Sequence, residues 1–139
     1  MQNELTQKIT SVIESHRVGT LATIQGNKPF SRFMLFFHDG TTLYTATNKN
    51  THKMEDIRSN PYAHVLLGVE GTGWHDDYVE IEAIVEIEED PSLKTKFWDD
   101  KLSKWLNGPN DPDYVLLKLV PQKIRYIEKA GARPQIVTY

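Results

Sequence analysis

The chain has 139 residues, 39% hydrophobic and 25% charged, with 16 basic against 19 acidic side chains and a net charge of -3. That length and balance suit one folded domain, residues 1–139, and exclude wholesale disorder; the mildly acidic total argues against a general nucleic-acid or anionic-membrane binder. Cysteine is absent, which removes disulfides, thiolate catalysis, cysteine-ligated zinc and iron–sulfur clusters. The N-terminal residues lack the basic and apolar regions of a secretory signal, and no apolar run reaches the roughly 20 residues of a membrane helix. The expectation is a soluble, cytoplasmic protein.

Leu5, Ile9, Val12 and Ile13 recur at helical spacing, predicting an amphipathic helix that ends near His16-Arg17. The period then shortens. Residues 18–24 read as a strand, Gln25-Gly26-Asn27 as its turn, and residues 31–38 as a second, central strand. Asp39-Gly40 is a hairpin signal leading to a third strand, residues 42–47. Thr51 is placed to cap a short helix through Met54, Ile57 and Arg58, stopped by Asn60-Pro61. Residues 62–69 form another apolar strand, and Glu70-Gly71-Thr72-Gly73 a loop. From Tyr78 to Glu88 apolar and mostly acidic residues alternate, the pattern of an antiparallel strand with one face buried. Asp90-Pro91 opens a helix carrying Leu93, Phe97, Trp98, Leu102, Trp105 and Leu106, which Asn107-Gly108-Pro109 ends. Residues 115–120 and 123–127 are two further strands divided by Pro121. Sequential strands with short turns predict an antiparallel barrel with helices at its ends and gap.

No dinucleotide fingerprint, P-loop, H-E-x-x-H or G-x-S-x-G occurs. His75-Asp76-Asp77 reads as an exposed loop before a strand rather than a cation site. Glu80, Glu82, Glu86 and Glu88 read as a solvated strand face rather than an acid–base pair. Arg32 differs: it lies mid-strand among Phe30, Met34 and Phe36, where a charge needs a carboxylate or a bound anion. Thr51, His52 and Lys53 stand at the start of a short helix, whose amides with a lysine and a hydroxyl can cradle a phosphate. The alternative is an Arg32–Glu pair and an ordinary solvated loop. The apolar supply on both faces of the second strand hints at a second subunit.

Gly19-Thr20-Leu21-Ala22-Thr23, Arg32-Phe33-Met34, Leu43-Tyr44-Thr45-Ala46-Thr47, then Lys53, Ile57 and Asn60-Pro61 together resemble the pyridoxamine 5'-phosphate oxidase-like split-barrel family. Asp111-Pro112-Asp113-Tyr114-Val115-Leu116-Leu117-Lys118-Leu119 resembles its general stress protein 26 branch. The resemblance implies a mainly β fold with flanking helices, a six-stranded antiparallel split β-barrel. It also implies a homodimer with flavin mononucleotide (FMN) at the subunit interface, with flavin adenine dinucleotide (FAD) the alternative cofactor. By that resemblance Arg32 holds the flavin phosphate, Phe33 and Met34 run along the ring, and Ala46 and Thr47 contact ring and phosphate. Thr51, His52 and Lys53 match the phosphate-binding stretch, Tyr78 stands where the oxidase has a glutamine near the ring, and Trp98 or Trp105 would reach the partner's flavin.

The family's oxidase proper has a C-terminal arginine–histidine stretch that grips the substrate phosphate, whereas this chain ends Ala132-Arg133-Pro134-Gln135-Ile136-Val137-Thr138-Tyr139. The reading is therefore a flavin-binding, oxidoreductase-like stress protein, not a true pyridoxamine phosphate oxidase, with a small-molecule electron donor or acceptor and no assigned catalytic residue. Two alternatives are a non-catalytic flavin store or sensor, and a haem-binding barrel using one of His16, His38, His52, His64 or His75.

Overall fold

The computed structural model describes residues 2–69 and 75–139; the expected loop Glu70-Gly71-Thr72-Gly73 lies outside them. Helix α1 (Gln2–Ser15) leads into β1 (Val18–Gln25), β2 (Lys28–Asp39) and β3 (Thr42–Asn48). Helix α2 (His52–Ser59) is followed by β4 (Tyr62–Gly68) and β5 (Tyr78–Glu88). Helix α3 (Pro91–Lys96) and a 3₁₀ turn (Asp100–Lys104) precede β6 (Tyr114–Ile127) and β7 (Gln135–Thr138). The strands pair antiparallel in the order β3-β2-β1-β4-β5-β6, and β3 also pairs with β6, so six strands close a barrel, with β7 added along β6. The expected fold class is therefore observed.

Alternation decides which side chains fill the barrel. Leu21, Val65, Val79, Ile81, Leu117, Leu119 and Ile124 point inward and are essentially fully buried. Ile9, Val12 and Ile13 of α1 join this core, while His16 Nδ1 donates to the Val12 carbonyl at 2.8 Å and satisfies the helix end. Met54 and Ile57 bring α2 onto the same core. A second core packs the α3 region on the barrel wall, with the Phe97 ring stacked 4.7 Å from Tyr44 and 5.8 Å from Phe37. Burial of a large apolar side chain contributes about 1.5–3 kcal/mol, so these clusters carry most of the stabilisation.

Four expectations change. The single helix expected after Asp90 is two short pieces: the helical run breaks at Phe97, and Asp99 restarts it by accepting from the Lys101 amide at 2.8 Å. Residues 115–120 and 123–127 belong to one strand that continues through Pro121. Its register against β5 shifts between Glu82 and Ala83, and on the other edge β6 changes partner from β3 to β7 around Pro121. A proline that cannot donate is tolerated at such a bulge. The strand set, expected to end with residues 123–127, gains β7 from the C-terminal residues. Thr51 precedes α2 but does not cap it with its side chain, since its hydroxyl donates to the Asn48 carbonyl at 3.0 Å.

Candidate functional site

The barrel is split at one seam. Strand β2 pairs with β3 only from Phe36 to Asp39, opposite Thr45 to Thr42. Before that point residues 28–35 bond to β1 alone, and residues 46–48 of β3 bond to β6 alone. Thr45, fully buried, donates its hydroxyl to the Leu35 carbonyl at 2.8 Å where the pairing stops. The seam therefore presents two unpaired strand edges, whose backbone donors and acceptors face an opening rather than each other.

A cavity of about 340 Å³ lies in this opening, a size typical of small-molecule sites. Arg32, Phe33, Met34 and Leu35 of β2 form one side, and Ala46, Thr47 and Asn48 of β3 the other. Thr51 and Lys53 close one end from the start of α2. Leu102, Trp105 and Leu106, around the 3₁₀ turn, form the remaining wall.

The polar end has an unusual charge balance. Arg32 Nη1 donates to Thr23 Oγ1 at 2.7 Å and reaches the Leu21 carbonyl at 3.4 Å. Lys53 Nζ donates to Thr47 Oγ1 at 2.7 Å, and Thr47 and Thr51 hydroxyls lie 3.3 Å apart. Among the described residues the ion pairs are Arg17–Asp99, Lys49–Asp113 and Arg125–Glu82, so neither Arg32 nor Lys53 has a carboxylate partner. Among the described residues, the expected alternative of an Arg32–Glu pair does not form. Burial holds the Lys53 ammonium below its ordinary pKa, and the Arg32 charge lowers it further. Burial also lowers Arg32, only partly offset by the field of Asp56. Two cations that repel each other thus share one end of a cavity with a helix N-terminus lacking a side-chain cap. That combination favours an anion.

Of the expected site residues, Arg32, Phe33, Met34, Ala46, Thr47, Thr51, Lys53 and Trp105 line this cavity together. His52 is exposed at the first position of α2, and Tyr78 begins β5 opposite Gly68 and Ile127; neither is in this lining. Trp98 packs on Tyr114 instead, ring centres 5.8 Å apart. Leu35, Asn48, Leu102 and Leu106 join the lining without having been expected there, and Thr23 anchors Arg32 from behind. Thr23 was within reach of the sequence, because the β1–β2 turn sets Leu21 opposite Arg32 and Thr23 two residues along the same face. No histidine lines the cavity: His16 and His38 bond to the Val12 and Gly40 carbonyls, and His64 lines a separate outer hollow. Asp77 accepts from the Tyr126 hydroxyl at 2.7 Å, and Glu82 pairs with Arg125.

The family model for pyridoxamine 5'-phosphate oxidase matches residues 5–128. The chain belongs to that family. It is 44% identical over 133 residues to general stress protein 26 of Bacillus subtilis (strain 168), covering 96% of this chain and 95% of that protein. The crystal structure of general stress protein 26 from Bacillus anthracis str. Sterne is 43% identical, with a TM-score of 0.88 over 98% of this chain and 99% of that one. A heme binding protein from Mycobacterium smegmatis shares the fold at 17% identity, with a TM-score of 0.80 over 96% of this chain and 57% of that one. The matched span contains every residue of the split-seam cavity.

Proposed function

We propose that this chain is a flavin-binding protein of the general stress protein 26 type, holding FMN in the split-seam cavity with its phosphate on Arg32, Lys53 and the start of α2. The observation that carries the reading is the pair of cations gathered at one end of the cavity, neither of them ion-paired to a carboxylate of the described residues. A phosphate there meets two positive charges, the hydroxyls of Thr47 and Thr51 and the uncapped amides of α2. The unpaired edges of β2 and β3 supply backbone groups to the heteroatoms of a flat ring, while Met34, Leu35 and Ala46 supply apolar contact. Bound FMN supplies two-electron chemistry of its own. The chain's part is to orient and to set local charge, since no carboxylate, imidazole or phenol of the described residues lines the cavity.

The reading includes a homodimer, and an exposed apolar face beside the cavity is what supports it. Phe33 stands opposite Thr20, which stands opposite Leu66, so the three lie in a row across the outer face of β2, β1 and β4. Phe33 is 79% exposed, Leu66 41% and Tyr62, on the same face of β4, 63%. Beside them an outer hollow of about 430 Å³ runs between Ala22, Ile24, Pro29, Tyr62 and His64. A second copy covers such a face, and because Phe33 also lines the cavity, the partner abuts the bound flavin.

The test is to incubate the purified protein with FMN, gel-filter it and record the absorbance of the eluted dimer. Retained flavin bands, with FMN identified by the mass of the released cofactor, support the reading. A protein that elutes colourless refutes it, a Soret band after haem loading would replace it, and FAD in the released fraction would correct the cofactor.

A further inference from the structure

Arg32 is held in place before any ligand arrives. Its Nη1 donates to Thr23 Oγ1 at 2.7 Å and reaches the Leu21 carbonyl at 3.4 Å. Both acceptors belong to β1, and both residues are fully buried. Only this one nitrogen of the guanidinium is engaged. Among the described residues Nε and Nη2 have no hydrogen-bond acceptor, and no buried side-chain nitrogen is left without a partner. The remaining N–H donors of the planar fork are therefore accessible, in a residue that lines the cavity.

Thr23 suits this task. A β-branched side chain on a paired strand has little rotamer freedom, so its hydroxyl stays where the guanidinium meets it. Arg32 also has a competing attraction. The half-buried Asp56 stands one turn beyond Lys53 on α2, and its field reaches Arg32, yet the two form no ion pair. A guanidinium released from Thr23 would be drawn toward that carboxylate and be less available to a phosphate. We infer that Thr23 is the positioning residue of the phosphate end: its hydroxyl pins one nitrogen of Arg32 and leaves the rest of the fork for the cofactor phosphate. The inference rests on the flavin reading, which puts that phosphate on Arg32.

Riboflavin, a flavin without the phosphate, separates positioning from packing. FMN and riboflavin are titrated by flavin fluorescence into the cofactor-free protein, Thr23→Val and Thr23→Ser. Thr23→Val keeps the shape and loses the hydroxyl, so FMN should weaken roughly 3- to 10-fold while riboflavin is unchanged. Thr23→Ser keeps the hydroxyl and should retain the unaltered protein's ratio of the two affinities. In an Arg32→Ala background Thr23→Val should cost FMN nothing further, because the hydroxyl acts through the arginine. Thr23→Ala, the smaller replacement, repeats the test should the valine protein fail to fold. No loss of FMN affinity, or a loss shared equally by both flavins, overturns the inference. So does a full additional loss on top of Arg32→Ala, or a Thr23→Ser protein that behaves as Thr23→Val. An unaltered protein that binds FMN no better than riboflavin overturns the phosphate placement itself, and this inference with it.

Discussion

Replacing Lys53 with methionine separates the two roles of a cation held in an unfavourable place. The Nζ is half-buried, donates to Thr47 Oγ1 at 2.7 Å, and is pushed toward its neutral form by burial and by Arg32. Its removal costs the phosphate one charge-assisted contact, worth about 1.5–3 kcal/mol. At about 1.4 kcal/mol per decade, FMN should bind roughly 10- to 150-fold more weakly. The cofactor-free protein should respond the other way. Methionine keeps the apolar stem, while the repulsion with Arg32 and the cost of burying the ammonium both vanish, so thermal stability should hold or rise. The pH dependence carries the same sign. Because the folded-state pKa of Lys53 lies below the usual lysine value of 10.5, the folded chain binds fewer protons than the unfolded one across that window. Stability of the cofactor-free protein therefore gains with rising pH up to about the usual lysine pKa, and Lys53→Met removes this gain. FMN affinity falls over the same window, as the ammonium that meets the phosphate is lost. Fluorescence titration with FMN and thermal denaturation of both forms measure these effects. Unchanged FMN affinity in Lys53→Met, or a clear loss of stability without cofactor, would refute the reasoning.

Arg32→Ala should weaken FMN by a comparable factor, read in the same titration, and should leave the buried Thr23 hydroxyl without its guanidinium donor at a cost of about 1 kcal/mol in denaturant unfolding. Glu86→Ala, on the exposed face of β5, should alter FMN affinity by less than about twofold and stability within about 0.5 kcal/mol. Leu66→Asp places a charge in the apolar row beside Phe33, and gel filtration should show it shifting toward monomer with a parallel loss of retained FMN. A Leu66→Asp protein that remains a full dimer would place the interface elsewhere.

Much of the architecture was legible because the period of burial is written in the residues. The alternation of Val79, Ile81, Ala83 and Val85 against Glu80, Glu82 and Glu86 fixes β5, and Asp39-Gly40 fixes the β2–β3 hairpin. What was not legible depends on partners distant in sequence. Pro121 reads as a strand end because local sequence cannot reveal that β6 trades β3 for β7 there. Gln135 to Thr138 carries only Val137 as a buried residue, and the edge of β6 makes it a strand. Apolar spacing from Leu93 to Leu106 suits one helix, but packing Phe97 against Phe37 and Tyr44 turns the chain, and Asp99 caps a new start. At the site, Arg32 was conspicuous as a charge on an apolar face, and Lys53 as a cation at a helix start. The hydrophobic wall of Leu102 and Leu106 was not, since nothing local distinguishes it from core.

The most direct test of the cationic seam compares FMN with riboflavin, which carries the same ring without the phosphate. Two charge-assisted contacts at about 1.5–3 kcal/mol each amount to a preference for FMN of about a hundredfold or more. Equal affinities for the two flavins would contradict the account, because the ring alone would then be doing the binding and Arg32 and Lys53 would have no phosphate to hold.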